Sequence, residues 1–118
     1  IRLREDPRAM MPSQPEAGQA TIIVHIDPDL EAIVPGFLAN RRRDFATIEG
    51  CLKQGDLSTI RMLGHRMKGD GGGYGFDQIS TIGDDLEQAA MAQDVPSIEQ
   101  QVALLKDFLS RLEVVYTR

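Results

Sequence analysis

The stretch LSTIRMLGHRMKGDGGGYGF, residues 57–76, combines a helical period of apolar residues with one histidine and a cluster of glycines. On a helical wheel that advances about 100° per residue, Leu63 and Met67 fall within about 60° of Ile60 and define a core-facing stripe. His65 lies at about 140° on the same wheel. The histidine is therefore predicted to point away from the core, whereas a histidine that serves only to pack a core would lie on the stripe.

The residues around His65 favour a role for it over the alternative of an exposed histidine without one. Gly69 and Gly72 lie four and seven residues later, on the same face of the next turns. Each glycine costs a helix about 1 kcal/mol relative to alanine, so a face without side chains indicates that another macromolecule approaches the imidazole closely. Lys68 has a long side chain that can reach a group bound to the ring. A nucleotide-binding glycine loop is disfavoured, because such a loop places its lysine after the glycines.

Helical periods continue on both sides of this stretch. Asp27 before Pro28 predicts a helix start, and Pro35 is expected to divide the first run into a short helix and a long one that ends near Gly55. Asp56 is the predicted cap of the next helix. The inward positions of the other runs are Leu30, Ile33, Val34, Phe37, Leu38, Phe45, Ile48 and Leu52, then Ile79, Ile82, Leu86 and Ala90, then Ile98, Val102, Leu105, Leu109, Leu112 and Tyr116. The predicted fold class is all-α, an up-down four-helix bundle with a short extra N-terminal helix and an extended N-terminal tail.

The first part of the chain shows no regular period. Residues 1–20 hold three of the six prolines and are predicted to be a flexible linker, followed by a domain over residues 21–118. Residues 21–26 (TIIVHI) are β-prone, but with no evident partner strand they are expected to pack as an extended lead-in. A start at Ile1 rather than methionine suggests a segment of a longer protein.

Composition excludes several classes of function. The net charge of −5 disfavours nucleic-acid binding, and the absence of a run of about 20 apolar residues predicts no membrane contact by this domain. A cytoplasmic location is expected, although a longer parent protein could be membrane-bound. Cys51, the only cysteine, is interpreted as a core residue rather than a reactive thiol, and His25 and His65 are too far apart in sequence to suggest a metal site.

One basic run, Arg41-Arg42-Arg43, interrupts the otherwise acidic chain. Three adjacent arginines spread over about 200° of a helix and are most often a solvated face. A contribution to docking an acidic partner is the alternative interpretation.

The motif His65-x-x-Lys68-Gly69, followed by Gly72 and Gly75, resembles that of the histidine phosphotransfer domains of two-component signalling. The resemblance covers about residues 27–116. Tyr74-Gly75-Phe76 is similar to the domains of chemotaxis-type kinases, whereas the linker and lead-in suit the end of a hybrid kinase, and both assignments stay open. The resemblance implies that His65 accepts a phosphoryl group and exchanges it with the aspartate of a response-regulator receiver domain.

The resemblance also implies a carrier that is not an enzyme and needs no cofactor, with Mg²⁺ only in the partner receiver. Kinase domains of a longer parent chain would be further partners. In the family a polar residue on the following helix hydrogen-bonds the histidine, which points to Glu87, with Asp84 one turn earlier; a solvated helix surface is the alternative for both. Gly69, Gly72, Arg61 and Asp84 are expected to serve receiver docking or the surroundings of the histidine.

Two positions depart from the family pattern. Asp70 stands where a small or hydroxyl residue is common, and Gly64 replaces the usual alanine. The wheel places Asp70 at about 280°, away from His65, so its carboxylate is not expected to repel a phosphoryl group. The competing functions are a helical-bundle interaction module that is not phosphorylated and, with less support, a small-ligand or metal enzyme.

Overall fold

The computed structural model of the chain describes residues 20–117, so the predicted linker lies almost wholly outside the described residues. The four long helices pack as a bundle, which confirms the predicted fold class. In chain order the elements are strand β1 (Ile22–Ile26), a 3₁₀ turn (Pro28–Leu30), helices α1 (Val34–Gln54), α2 (Leu57–Tyr74), α3 (Asp77–Met91) and α4 (Val95–Arg111), and strand β2 (Leu112–Tyr116).

The helix boundaries follow from local chemistry. Pro35 lies in the first turn of α1, where its missing N–H is not needed, so it starts this helix after the short 3₁₀ turn. Gly55 closes α1 with a φ of 71°, a left-handed conformation that glycine adopts without steric cost. Asp56 and Asp94 cap α2 and α4 by accepting hydrogen bonds from the backbone N–H and hydroxyl groups of Thr59 and Ser97. Those hydrogen bonds lower the pKa of both carboxyl groups.

The core forms from the predicted apolar faces. Ile33 is the exception at 47% exposure, because it stands outside the first turn of α1 as its N-cap. Cys51 is buried among these residues, and burial together with Asp56 raises the pKa of its thiol, which favours the unreactive protonated form. Side chains from every helix and from β1 have no more than 1% exposure: Ile26, Val34, Ile48, Ile60, Met67, Phe76, Ile79, Leu86, Ile98 and Leu105.

A two-stranded parallel sheet joins the two ends of the described chain. Strand β1 pairs with β2 in the register Ile22 with Leu112 through Ile26 with Tyr116. The expectation of an unpaired lead-in was therefore wrong, as was the prediction that the last helix continues through Leu112 and Tyr116. The backbone at Leu112 is extended, with φ −73° and ψ 132°. β-Branched residues in LEVVY favour a strand once the bundle brings β1 alongside.

The arginine run divides between core and surface. Arg41 is not solvated: its side chain is only 12% exposed and forms ion pairs with Asp44 at 3.0 Å and Asp70 at 3.9 Å. The predicted solvated face holds only for Arg42 and Arg43, which are exposed. Burial raises the pKa of Asp44, although Arg41 opposes the shift. Arg41 thus joins α1 to α2 and is not available for docking a partner.

Helices α2 and α3 pack backbone to backbone at three glycines. A Cβ atom at Gly83 of α3 would lie 2.5 Å from the backbone nitrogen of Lys68 and 2.8 Å from the carbonyl oxygen of Gly64. A Cβ at Gly64 would lie 2.7 Å from the backbone nitrogen of Glu87, and Gly71 approaches α3 as closely, at 2.8 Å. This close packing places polar side chains of α3 directly beside the exposed face of α2.

Candidate functional site

His65 projects from the middle of α2 into solvent. Its side chain is 73% exposed, whereas Ile60 and Met67 on the same helix are fully buried. The exposure of His65 therefore agrees with the wheel, which placed it away from the apolar stripe. A macromolecular partner can reach the ring without any rearrangement of the bundle.

Glu87 on α3 fixes one nitrogen of the ring. Its Oε2 atom lies 3.2 Å from Nδ1 of His65, and the Glu87 side chain is only 14% exposed. A carboxylate can only accept a hydrogen bond, so the Nδ1–H group donates. In the neutral imidazole, Nε2 then carries the free lone pair and is the nitrogen that can act as a nucleophile. The resemblance indicated Glu87, and the close approach of α2 and α3 brings it into contact.

Lys68 and Asp84 form a second polar contact between the same helices. Lys68 Nζ lies 3.2 Å from Asp84 Oδ1, and the two side chains are 49% and 42% exposed. The hydroxyl of Ser80 donates to the carbonyl oxygen of Lys68 at 2.8 Å and holds α3 to the same turn of α2. Asp84 was expected near the histidine, but it contacts the lysine. The ammonium group of Lys68 is thus paired with a carboxylate of α3.

The glycines of α2 fall into two groups. Among the described residues, no atom lies within 4 Å of a hypothetical Cβ at Gly69 or Gly73, and a Cβ at Gly72 would meet only the side chain of Ser80, at 3.5 Å. These three leave the surface beyond His65 open, as predicted for Gly69 and Gly72. The packing role of Gly64 was not recognised in the sequence, because it depends on a glycine of another helix.

A surface cavity of about 360 Å³ opens beside His65 toward the start of α2. It is lined by Ser58, Arg61, Met62, His65 and Glu87. Of these, Ser58 and Met62 were missed in the sequence analysis. Their spacing was the available signal, since they precede His65 by seven and three residues and share its face. Met62 is 49% exposed and gives this face an apolar contact point.

The Hpt domain family model matches residues 33–114, a range that includes all four helices and every residue of this site. The chain belongs to the Hpt domain family. Comparison with curated proteins and with solved structures gives no match.

An Hpt domain is a histidine phosphotransfer module of phosphorelays, which exchanges phosphoryl groups with receiver domains. It carries the phosphoryl group without being a catalyst, and it needs no cofactor. Residues 20–117 contain no group of three His, Cys, Asp or Glu side chains suited to a metal ion. No helix in that range has the length and apolar character that crossing a membrane requires.

Proposed function

We propose that Nε2 of His65 is the atom that carries the phosphoryl group in this Hpt domain. The observation that carries this proposal is the hydrogen bond of Nδ1 to Glu87 on a ring that is 73% exposed. The bond selects one tautomer, and the exposure leaves the other nitrogen accessible. His25, the other histidine of the chain, contacts Thr117 Oγ1 at 3.0 Å and has no carboxylate hydrogen-bonded to it among residues 20–117.

This chain and the receiver together supply every group that the transfer needs. The Nε2 lone pair attacks the phosphorus of a receiver aspartyl phosphate, the N–P bond forms, and the P–O bond breaks with its electron pair going to the leaving carboxylate. The ring keeps its proton on Nδ1 and gains a positive charge. The Glu87 carboxylate at 3.2 Å stabilises that charge, and the reverse reaction uses the same contacts. Mg²⁺ belongs to the acidic pocket of the receiver.

The receiver is proposed to dock over the open surface of α2 beyond His65. Gly69 and Gly72 leave room there for a closely approaching backbone or loop. The Lys68–Asp84 pair borders the surface and supplies polar groups to its rim. Kinase domains in a longer parent chain, and a cytoplasmic location for this domain, belong to the same proposal.

The direct test is phosphoryl transfer from receivers that carry labelled aspartyl phosphate. We expect the label to move to this chain and to be acid-labile and alkali-stable, as a phosphorus–nitrogen bond requires. The measurement is the label remaining on the chain after separate acid and alkali treatment. A chain that binds receivers but never gains label would instead be an interaction module that is not phosphorylated.

Replacing Glu87 by alanine is expected to slow phosphoryl uptake about tenfold without abolishing it, by analogy with the carboxylate partners of metal-bound histidines, whose loss typically costs 10- to 100-fold. The side chain acts by selecting the tautomer, so its removal should also shift protonation from Nδ1 toward Nε2. Transfer kinetics and the ¹⁵N chemical shifts of the His65 ring measure the two effects. Unchanged nitrogen shifts would show that Glu87 does not set the tautomer.

Replacing Gly72 by glutamine is expected to slow transfer from a receiver while raising helix stability by up to about 1 kcal/mol. The added side chain would project onto the proposed docking surface. Gly50→Gln on α1 is the matched control, because a Cβ there meets no described atom within 4 Å and Gly50 lies outside α2 and α3, the two helices that form the site. Receiver transfer and labelling by phosphoramidate, a small phosphodonor, separate docking from chemistry. Equal transfer rates for the two variants would refute the docking role of the open surface.

A further inference from the structure

We infer that Arg61, rather than the lysine of the family motif, supplies the principal positive charge to a phosphoryl group on His65. This inference rests on the proposed function of His65 as the phosphorylated residue. Two observations support it. Lys68 is already paired with Asp84, whereas Arg61 has no ion-pair partner in the described part of the chain and lines the cavity beside the ring.

Lys68 already has an acidic partner before any phosphoryl group arrives. Its ammonium lies 3.2 Å from the Asp84 carboxylate, and both groups are about half exposed. For Lys68 to serve the phosphoryl group it must leave Asp84 or share its charge with it. The Asp84 carboxylate, left unpaired beside a dianionic phosphoryl group, would repel it. This repulsion would offset part of the attraction that Lys68 gains.

Arg61, unlike Lys68, has no acidic partner in the described part of the chain. Its side chain is exposed and forms no ion pair or hydrogen bond with any residue in the described part of the chain. It lies four residues before His65, on the same face of α2, where side chains one turn apart are neighbours. Helical side chains lean toward the N-terminal end of their helix, so the imidazole leans over the turn that holds Arg61.

The cavity beside the ring has the donors that a phosphoryl group needs. Arg61 and the hydroxyl of Ser58 line it together with His65, whereas Lys68 and Asp84 do not. A guanidinium presents two parallel N–H groups to phosphate oxygens, a geometry that an ammonium lacks. Glu87 also borders the cavity, but its hydrogen bond to Nδ1 keeps it directed to the ring.

The test is the equilibrium constant for phosphoryl transfer between a receiver phosphorylated with acetyl phosphate and this chain. Arg61→Gln is expected to lower that constant about three- to tenfold, the range for a charge-assisted contact in a solvent-exposed site. Arg66→Gln is the matched control: it removes the same charge from the neighbouring turn, on the side that faces Asp44. The double variant Lys68→Gln/Asp84→Asn removes the other pair without leaving an unpaired charge, and its effect is expected to be smaller than that of Arg61→Gln.

A second readout separates direct contact from a general effect of charge. After treatment of the wild type with phosphoramidate, the Nε–H resonance of Arg61 is expected to shift, and that of Arg66 to stay. The inference is overturned if Arg61→Gln matches Arg66→Gln, if the double variant has the larger effect, or if the Arg61 resonance does not move. Failure of the wild type to take up label at His65 would instead refute the proposed function.

Discussion

Phosphoryl uptake from receivers is expected to disappear completely in His65→Gln, and phosphoramidate should no longer label position 65. The variant removes the nucleophilic nitrogen, and no other group of the site can replace it. The fold should remain, because a ring with 73% exposure contributes little packing. A glutamine amide can also still donate a hydrogen bond to Glu87. The thermal unfolding midpoint should therefore stay close to that of the wild type, which circular dichroism can measure beside the labelling assay.

His25→Gln is the control for this experiment. The chain contains two histidines, and both are exposed, so chemical accessibility alone does not distinguish them. If the hydrogen bond to Glu87 selects the reactive nitrogen, His25→Gln should take up label like the wild type. If His65→Gln retained the label and His25→Gln lost it, His25 would be the phosphorylated residue and the proposed site would be wrong.

Local sequence patterns in α2 were sufficient to predict that the His65 side chain points away from the core. The cap at Asp56, the apolar period through Ile60 and Met67, and the turn at Gly75 all act within one helix, so the sequence alone determines them. The direction of His65 follows from the same period. Glu87 is different, because no periodicity connects it to a residue 22 positions earlier; only the resemblance to a family pointed to it.

The features that the sequence did not reveal are those that depend on a distant partner. Five residues such as LEVVY satisfy a helical or a strand pattern equally well, and only the arrival of β1 decides between them. The ion pair of Arg41 with Asp70 joins two helices, whereas helical spacing within α1 can reveal only the closer partner of Arg41, Asp44. The close approach at Gly64 likewise requires Gly83, and neither glycine alone distinguishes a packing site from an open surface.

The largest expected effect on stability comes from replacing Gly83 by alanine. The new methyl group would lie 2.5 Å from the backbone nitrogen of Lys68 and 2.9 Å from the carbonyl carbon of Met67, and neither atom can move without displacing α2. Overpacking of this kind typically lowers the free energy of unfolding by about 1–3 kcal/mol, occasionally more. The higher helix propensity of alanine relative to glycine raises it by about 1 kcal/mol. Because backbone rather than flexible side chains must move, we expect a net loss of about 2 kcal/mol in the free energy of unfolding.

Gly69→Ala provides the matched comparison, since the same substitution in a helix there meets nothing within 4 Å. It should raise the free energy of unfolding by up to about 1 kcal/mol, so the two variants should shift the urea midpoint in opposite directions. Displacement of α3 in Gly83→Ala should also weaken the bond between His65 Nδ1 and Glu87, which the ring ¹⁵N shifts report. If both variants were stabilised equally, the helices would not be in backbone contact at Gly83. The contact between His65 and Glu87 would then need a different structural cause.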